Sequence, residues 1–165
     1  MRSPNIALRR LVLAALVLAA GCNGDGLTDT EREAAGAYLL IGINQQALPF
    51  DIGRPCGERA DRGFLQLGEE NRFYVEVEIY NPTCPDEADD DPHVWSGTGI
   101  WTVIDGNVRL VNDVGAQQYV TFGTAPAPLV GDVLDATGNF EVVGYEGTPI
   151  RPTLQPVQVT FNFTR

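Results

Sequence analysis

The stretch from Arg72 to Tyr80 leaves the chain little choice of fold. Phe73, Val75, Val77 and Ile79 alternate with Tyr74, Glu76, Glu78 and Tyr80. Side chains of an extended backbone point to opposite faces in turn, so a period of two makes a strand with one dry face and one wet face. The chain's end repeats the pattern, with Val157, Val159, Phe161 and Phe163 alternating with Gln158, Thr160, Asn162 and Thr164. Between them, Val94 to Ile104 places Trp95, Gly97, Gly99, Trp101 and Val103 on one face. Asp105-Gly106 follows and supplies the residues a tight type I′ hairpin needs. Asn107 to Asn112 then returns as the partner strand.

The remaining segments use the same grammar. Gly36 to Ile43 is apolar and stops at a turn over Asn44-Gln45-Gln46. Ala47 to Asp51 is a short second strand, Gly53 to Arg62 a loop, and Gly63 to Leu67 a strand turned by Gly68-Glu69-Glu70-Asn71. Gln117 to Phe122 pairs next, and Thr124 to Pro128 is a break. Val130 to Ala136 and Phe140 to Gly144 read as a hairpin around Thr137-Gly138-Asn139. The proline-dotted stretch Pro149 to Pro156 crosses to the last strand. Eight to ten short strands with frequent turns predict an all-β fold. Sequence neighbours tend to pair, which predicts an up-and-down antiparallel barrel. Before the first strand, Thr28 to Ala35 predicts a short helical turn, with Thr28 and Glu31 spaced as a capping box and Gly36 ending it.

The first residues are an address. Arg2, Arg9 and Arg10 precede ten apolar residues, Leu11 to Ala20, and then Gly21-Cys22. A charged start, a short apolar run and small residues make a secretory signal, whereas a span takes about 20 residues. Leu18-Ala19-Ala20-Gly21-Cys22 resembles the lipobox of bacterial lipoproteins, with Ala19 in the place usually held by leucine. The resemblance implies cleavage before Cys22, acylation of Cys22, and a lipid-anchored domain in the bacterial cell envelope. Asn23 leans towards the outer membrane, on its periplasmic or surface face. The alternative is an ordinary signal peptide with a cysteine near its cut. The expected organisation is a signal peptide over 1–21, lipidated Cys22 with tether and helical turn over 22–35, and a barrel domain over 36–165. Once Cys22 carries lipid, Cys56 and Cys84 remain to pair in an oxidising compartment; two free thiols are the competing reading. In a meander, the loop holding Cys56 and the loop holding Cys84 fall at the same rim.

Charge narrows the partners. The chain carries a net charge of −11 and contains no lysine. Loss of Arg2, Arg9 and Arg10 takes it to −14. Such a surface repels phosphate backbones, so nucleic acid is not an expected partner. About 144 residues after the signal make one domain able to bury a core.

Gly36-Ala37-Tyr38 on the first strand, Leu48-Pro49-Phe50 after a turn, and Arg165 closing the last strand resemble the lipocalin-like barrels. That family has Gly-x-Trp on its first strand and a late arginine packed over the Trp; Tyr38 stands at the Trp position here. The resemblance implies a barrel with room for a small-molecule pocket. Such a ligand site would be walled by Tyr38, Trp95 and Trp101, with Gly97 and Gly99 letting a ligand or another backbone approach. The competing reading has the glycines bending the strand and the tryptophans filling the core.

Other candidates are weaker. Asp86, Glu87, Asp89, Asp90, Asp91 and His93 gather carboxylates suited to calcium, but the spacing is not that of an EF-hand, and a solvated rim loop is expected instead. Neither Cys56 nor Cys84 has metal-ligand spacing, so no metal or cofactor is expected. Glu76 and Glu78 share a face roughly 7 Å apart, a separation paired glycosidase acids also use. His93 and Ser96 lack an orienting carboxylate. A transmembrane barrel needs strands of about 9 to 11 residues with an apolar outer face, which Glu76 and Glu78 interrupt. The sequence therefore predicts a non-catalytic, membrane-anchored interaction module reaching protein partners through its loops, with an apolar or amphipathic ligand in the barrel as the alternative.

Overall fold

The structure, a computed structural model, describes residues 26–52, 58–80, 93–115, 117–146 and 151–165, with 142–146 and 151–155 as backbone only. The leader with Cys22, the pair Cys56 and Cys84, and the acidic run 86–91 lie outside the described residues.

Helix α1 (Asp29–Ala34) opens the described chain. The Thr28 hydroxyl accepts from the Glu31 N–H at 3.3 Å, and Glu31 Oε2 accepts from the Thr28 N–H at 2.9 Å, completing the capping box. The helix ends at Ala35, whose N–H donates to the Glu31 carbonyl at 2.8 Å. Gly36, expected as its stop, is already the first residue of β1.

Eleven strands follow among the described residues: β1 (Gly36–Ile43), β2 (Gln46–Ala47), β3 (Phe50–Asp51), β4 (Arg59–Leu67), β5 (Arg72–Tyr80), β6 (His93–Ile104), β7 (Asn107–Asn112), β8 (Val120–Phe122), β9 (Ala127–Val130), β10 (Val133–Glu146) and β11 (Arg151–Thr164). Every pairing is antiparallel. β1 pairs with β11 on one side and β4 on the other, which closes the sheet. The ring runs β1–β4–β5–β6–β7–β9–β10–β11, an eight-strand up-and-down barrel. β8 shares β9's place along β10, while β2 and β3 are short additions.

The structure departs from the sequence reading in several places. Ala47 to Asp51, expected as one strand, is split between β2 and β3, and β8 begins at Val120 rather than Gln117. β4 begins at Arg59 rather than Gly63, because a register shift between Ala60 and Arg62 lets Arg59 and Ala60 reach Tyr80 and Ile79. Ala127 and Pro128, expected in a break, belong to β9. Thr137-Gly138-Asn139 is not a turn: β10 runs straight through it, and the reversal lies at Gly131-Asp132, where Gly131 holds a φ of +61°. Gly138 serves close approach instead, since a Cβ there would stand 2.3 Å from the Thr121 carbonyl oxygen. β11 starts at Arg151 and carries Pro152 and Pro156, expected in a crossing, within its length.

One end of the barrel is shut by α1. Leu27 and Ala34 are buried, Tyr38 donates its hydroxyl to the Ala34 carbonyl at 2.7 Å, and Trp101 Nε1 donates to the Gly68 carbonyl at 3.0 Å. A polar atom buried with its partner supplied costs little, so both rings keep their full hydrophobic gain. Above them a row of rings crosses the interior. Phe73 meets Phe122 edge-on at 5.6 Å, Phe122 meets Phe161 at 5.7 Å, Phe161 meets Phe140 at 5.1 Å, and Phe140 meets Trp95 at 5.6 Å. Edge-to-face geometry at these separations is the favourable arrangement of aromatic quadrupoles.

Candidate functional site

Tyr38 and Trp101 are fully buried and hydrogen-bonded, and Trp95 is half-buried towards the opposite end. Gly97 and Gly99 face inward between them, against protein: a Cβ on Gly97 would lie 2.1 Å from the Val120 carbonyl oxygen, and one on Gly99 2.1 Å from that of Val111. The five positions share the interior as expected, and the space beside the glycines is taken by backbone. The Arg165 guanidinium lies 5.3 Å above the Tyr38 ring, and its Nη1 donates to the Glu33 carbonyl at 2.7 Å.

The carboxylate pair on β5 is engaged separately. Glu76 accepts from the Tyr74 hydroxyl at 2.6 Å, which, as the largest cause, raises the Tyr74 pKa. Glu78 pairs with Arg62 at 2.6 Å. His93 and Ser96 differ in parity along β6 and so project from opposite faces. Among the described residues no group of three or more metal-ligating side chains assembles, and no helix is long and apolar enough to cross a membrane.

A cleft of about 350 Å³ opens on the outer wall, lined by Asn112, Asp113, Gln117, Gln118, Tyr119, Thr121 and Glu141. It forms where β7 stops. The Asn112 side chain stitches β7 to β8, accepting from the Phe122 N–H at 2.7 Å and donating to the Val120 carbonyl at 3.2 Å. Gln118 accepts from the Thr98 N–H at 3.1 Å, so a side-chain amide fills a ladder position. Asp113 accepts from Arg72 and, at 2.9 Å, from the Thr98 hydroxyl; the guanidinium first and the hydroxyl second hold its pKa below the usual range. Glu141 accepts from the Thr121 hydroxyl at 2.8 Å, and no ion pair reaches it among the described residues. Tyr119 stacks on Trp95 at 6.2 Å. The sequence reading passed over this cleft because its residues come from three segments. The signal within reach was the uncharged polar run Gln117-Gln118-Tyr119 beside an aspartate.

Comparison with protein-family models, with curated proteins and with solved structures finds no match to this chain.

Proposed function

We propose that this chain is a lipid-anchored envelope domain whose barrel is a filled, rigid scaffold that engages protein partners through its loops, without catalysis. The observation that carries this reading is the aromatic row from Phe73 to Trp95, which occupies the section where a lipocalin-type ligand would sit. Arg165 over Tyr38 supports the likeness to lipocalin-like barrels. The lipobox-like ending at Cys22, four residues before Gly26, supports an anchor. The membrane would be met through acyl chains on Cys22, at the envelope location expected from the leader. The alternative, a small apolar ligand in the barrel, is favoured by Trp95, which stays half-buried at the end away from α1.

Two measurements test the proposal on the full chain expressed in a bacterium. Labelled palmitate enters the wild type and not Cys22→Ser; equal labelling of both removes the anchor. Native mass spectrometry gives the bare polypeptide mass plus lipid; a stoichiometric co-purified small molecule reverses the order of the two readings.

A further inference from the structure

Among the described residues, one strand position in the wall of the barrel is unfilled. Tyr119 is the last residue of the described chain to fill it: its N–H donates to the Ser96 carbonyl on β6 at 3.0 Å, and its carbonyl accepts from the Glu141 N–H on β10 at 2.8 Å. Beyond Tyr119, β6 continues to His93 and β10 to Glu146. β10 stays paired to β11 through Glu146 and Arg151, but among the described residues nothing pairs with its other edge past Glu141.

Strand parity says which groups are left open. Glu141 directs its N–H to the open side, so Val143 and Tyr145 direct both N–H and carbonyl there as well. On β6, Ser96 and Thr98 face the same gap, and Val94 shares their parity. Strands lie about 4.8 Å apart, so a gap bridged by one residue at Tyr119 is one strand wide there.

The other edge of the β10–β11 ribbon is blunted. Thr160 exchanges bonds with Asn44, its N–H donating to Asn44 Oδ1 at 2.8 Å, so even-numbered residues of β11 face β1 and the edge beyond it. Pro152 and Pro156 occupy that parity, opposite Tyr145 and Glu141. A proline there deletes the donor an invading strand needs. Among the described residues, one edge carries prolines at donor positions, and the other keeps its Val143 and Tyr145 donors without a partner.

We propose that the β10 edge beyond Glu141, at Val143 and Tyr145, binds an extended segment of a partner protein by strand addition, with an arginine or lysine of that segment seated in the cleft beside Glu141. This deepens, and rests on, the reading of the barrel as an interaction module. Backbone hydrogen bonds at Val143 and Tyr145 supply the pairing. The cleft lies at the foot of the edge, on the face to which Glu141 and the outward residues of an added strand both point. Charge selects the occupant. Each chain carries a net charge of −11, which disfavours a second copy and favours a segment that brings positive charge to Glu141.

The test uses the full chain in detergent and a fluorescein-labelled dodecapeptide of alternating threonine and valine with one arginine near its end. Fluorescence anisotropy reads binding. Val143→Pro removes a donor from the open edge alone and mirrors the prolines β11 already tolerates; it weakens binding at least tenfold. Glu141→Gln weakens the arginine peptide several-fold and leaves a glutamine-for-arginine peptide unchanged. Hydrogen exchange of the Val143 and Tyr145 amides is fast in the free protein and slows with peptide. Equal binding by Val143→Pro overturns the proposal, as does protection of those amides in the free monomer, which would mean that the chain's own segment fills the edge. A concentration-dependent dimer lost in Val143→Pro also overturns it, in favour of a second copy. These outcomes leave the module reading intact; a small molecule co-purifying with wild type and Val143→Pro alike would count against that reading and not against the edge.

Discussion

Gly99→Ala is the sharpest probe of a filled barrel. A Cβ at this position would stand 2.1 Å from the Val111 carbonyl oxygen, 2.5 Å from Phe73 Cε1 and 2.8 Å from Asn112 Cα. Close carbon–oxygen contacts in sheets run about 3.3 Å, so β7 must retreat by roughly 1 Å. Phe73 cannot simply yield, because its ring is held edge-on to Phe122. Retreat strains the pairs Gly99 with Asn112 and Ile100 with Val111, and draws Asn112 off the β8 groups it satisfies. Overpacking costs about 1 to 3 kcal/mol, and two backbone clashes place this case at or above the top of the range. At about 4 °C per kcal/mol for a domain of this size, the melting temperature should fall by about 12 °C. Thermal unfolding followed by circular dichroism reads it. Gly123→Ala is the control: its nearest neighbour would be 3.8 Å away, so it should change stability by less than about 1 kcal/mol. A Gly99→Ala protein melting within about 2 °C of wild type would mean slack beside β6 and would refute the packed interior.

Three further outcomes follow from the same geometry. Arg165→Ala loses the ring contact with Tyr38 and the bond to the Glu33 carbonyl, for about 2 kcal/mol by denaturant unfolding, and Arg165→Lys recovers only part because an ammonium lacks the planar fork. The Thr28 N–H, ahead of opposing burial, holds the Glu31 carboxyl below its ordinary value of 4.5. A depressed pKa stabilises the folded state above the unfolded value and is lost as pH falls through the folded one. Wild type should therefore out-melt Glu31→Gln at pH 7 and match it in strong acid; a gap that persists in acid would show that ionisation is not what α1 uses. Cys56 and Cys84 lie outside the described residues, but the pairing of Arg59 with Tyr80 sends both flanking segments from the same end of the β4–β5 ladder. A bridge between them should raise stability by about 3 to 4 kcal/mol over Cys56→Ser/Cys84→Ser, and intact mass with and without reductant should differ by two hydrogens.

Local pattern determined a great deal. The alternation in Arg72–Tyr80 and Val157–Thr164, the Asp105-Gly106 turn and the Thr28/Glu31 box each act within a few residues, so each was legible before any fold was known. With strand order they also made a closed antiparallel barrel readable, because neighbours in a meander pair by default. Turn chemistry misled where composition imitated it: Thr137-Gly138-Asn139 resembles a reversal, yet Gly138 is there so that β8 can pass close by. Prolines at 152 and 156 read as a break, yet they sit in a strand at positions whose N–H would point away from β10, where no described residue pairs. Only the tertiary structure decided that, among the described residues, the wall thins to a single residue at Tyr119, with the edge of β10 past Glu141 unpaired above a polar cleft. That arrangement depends on three segments distant in sequence meeting across the barrel, and no single segment's periodicity records where its neighbours end.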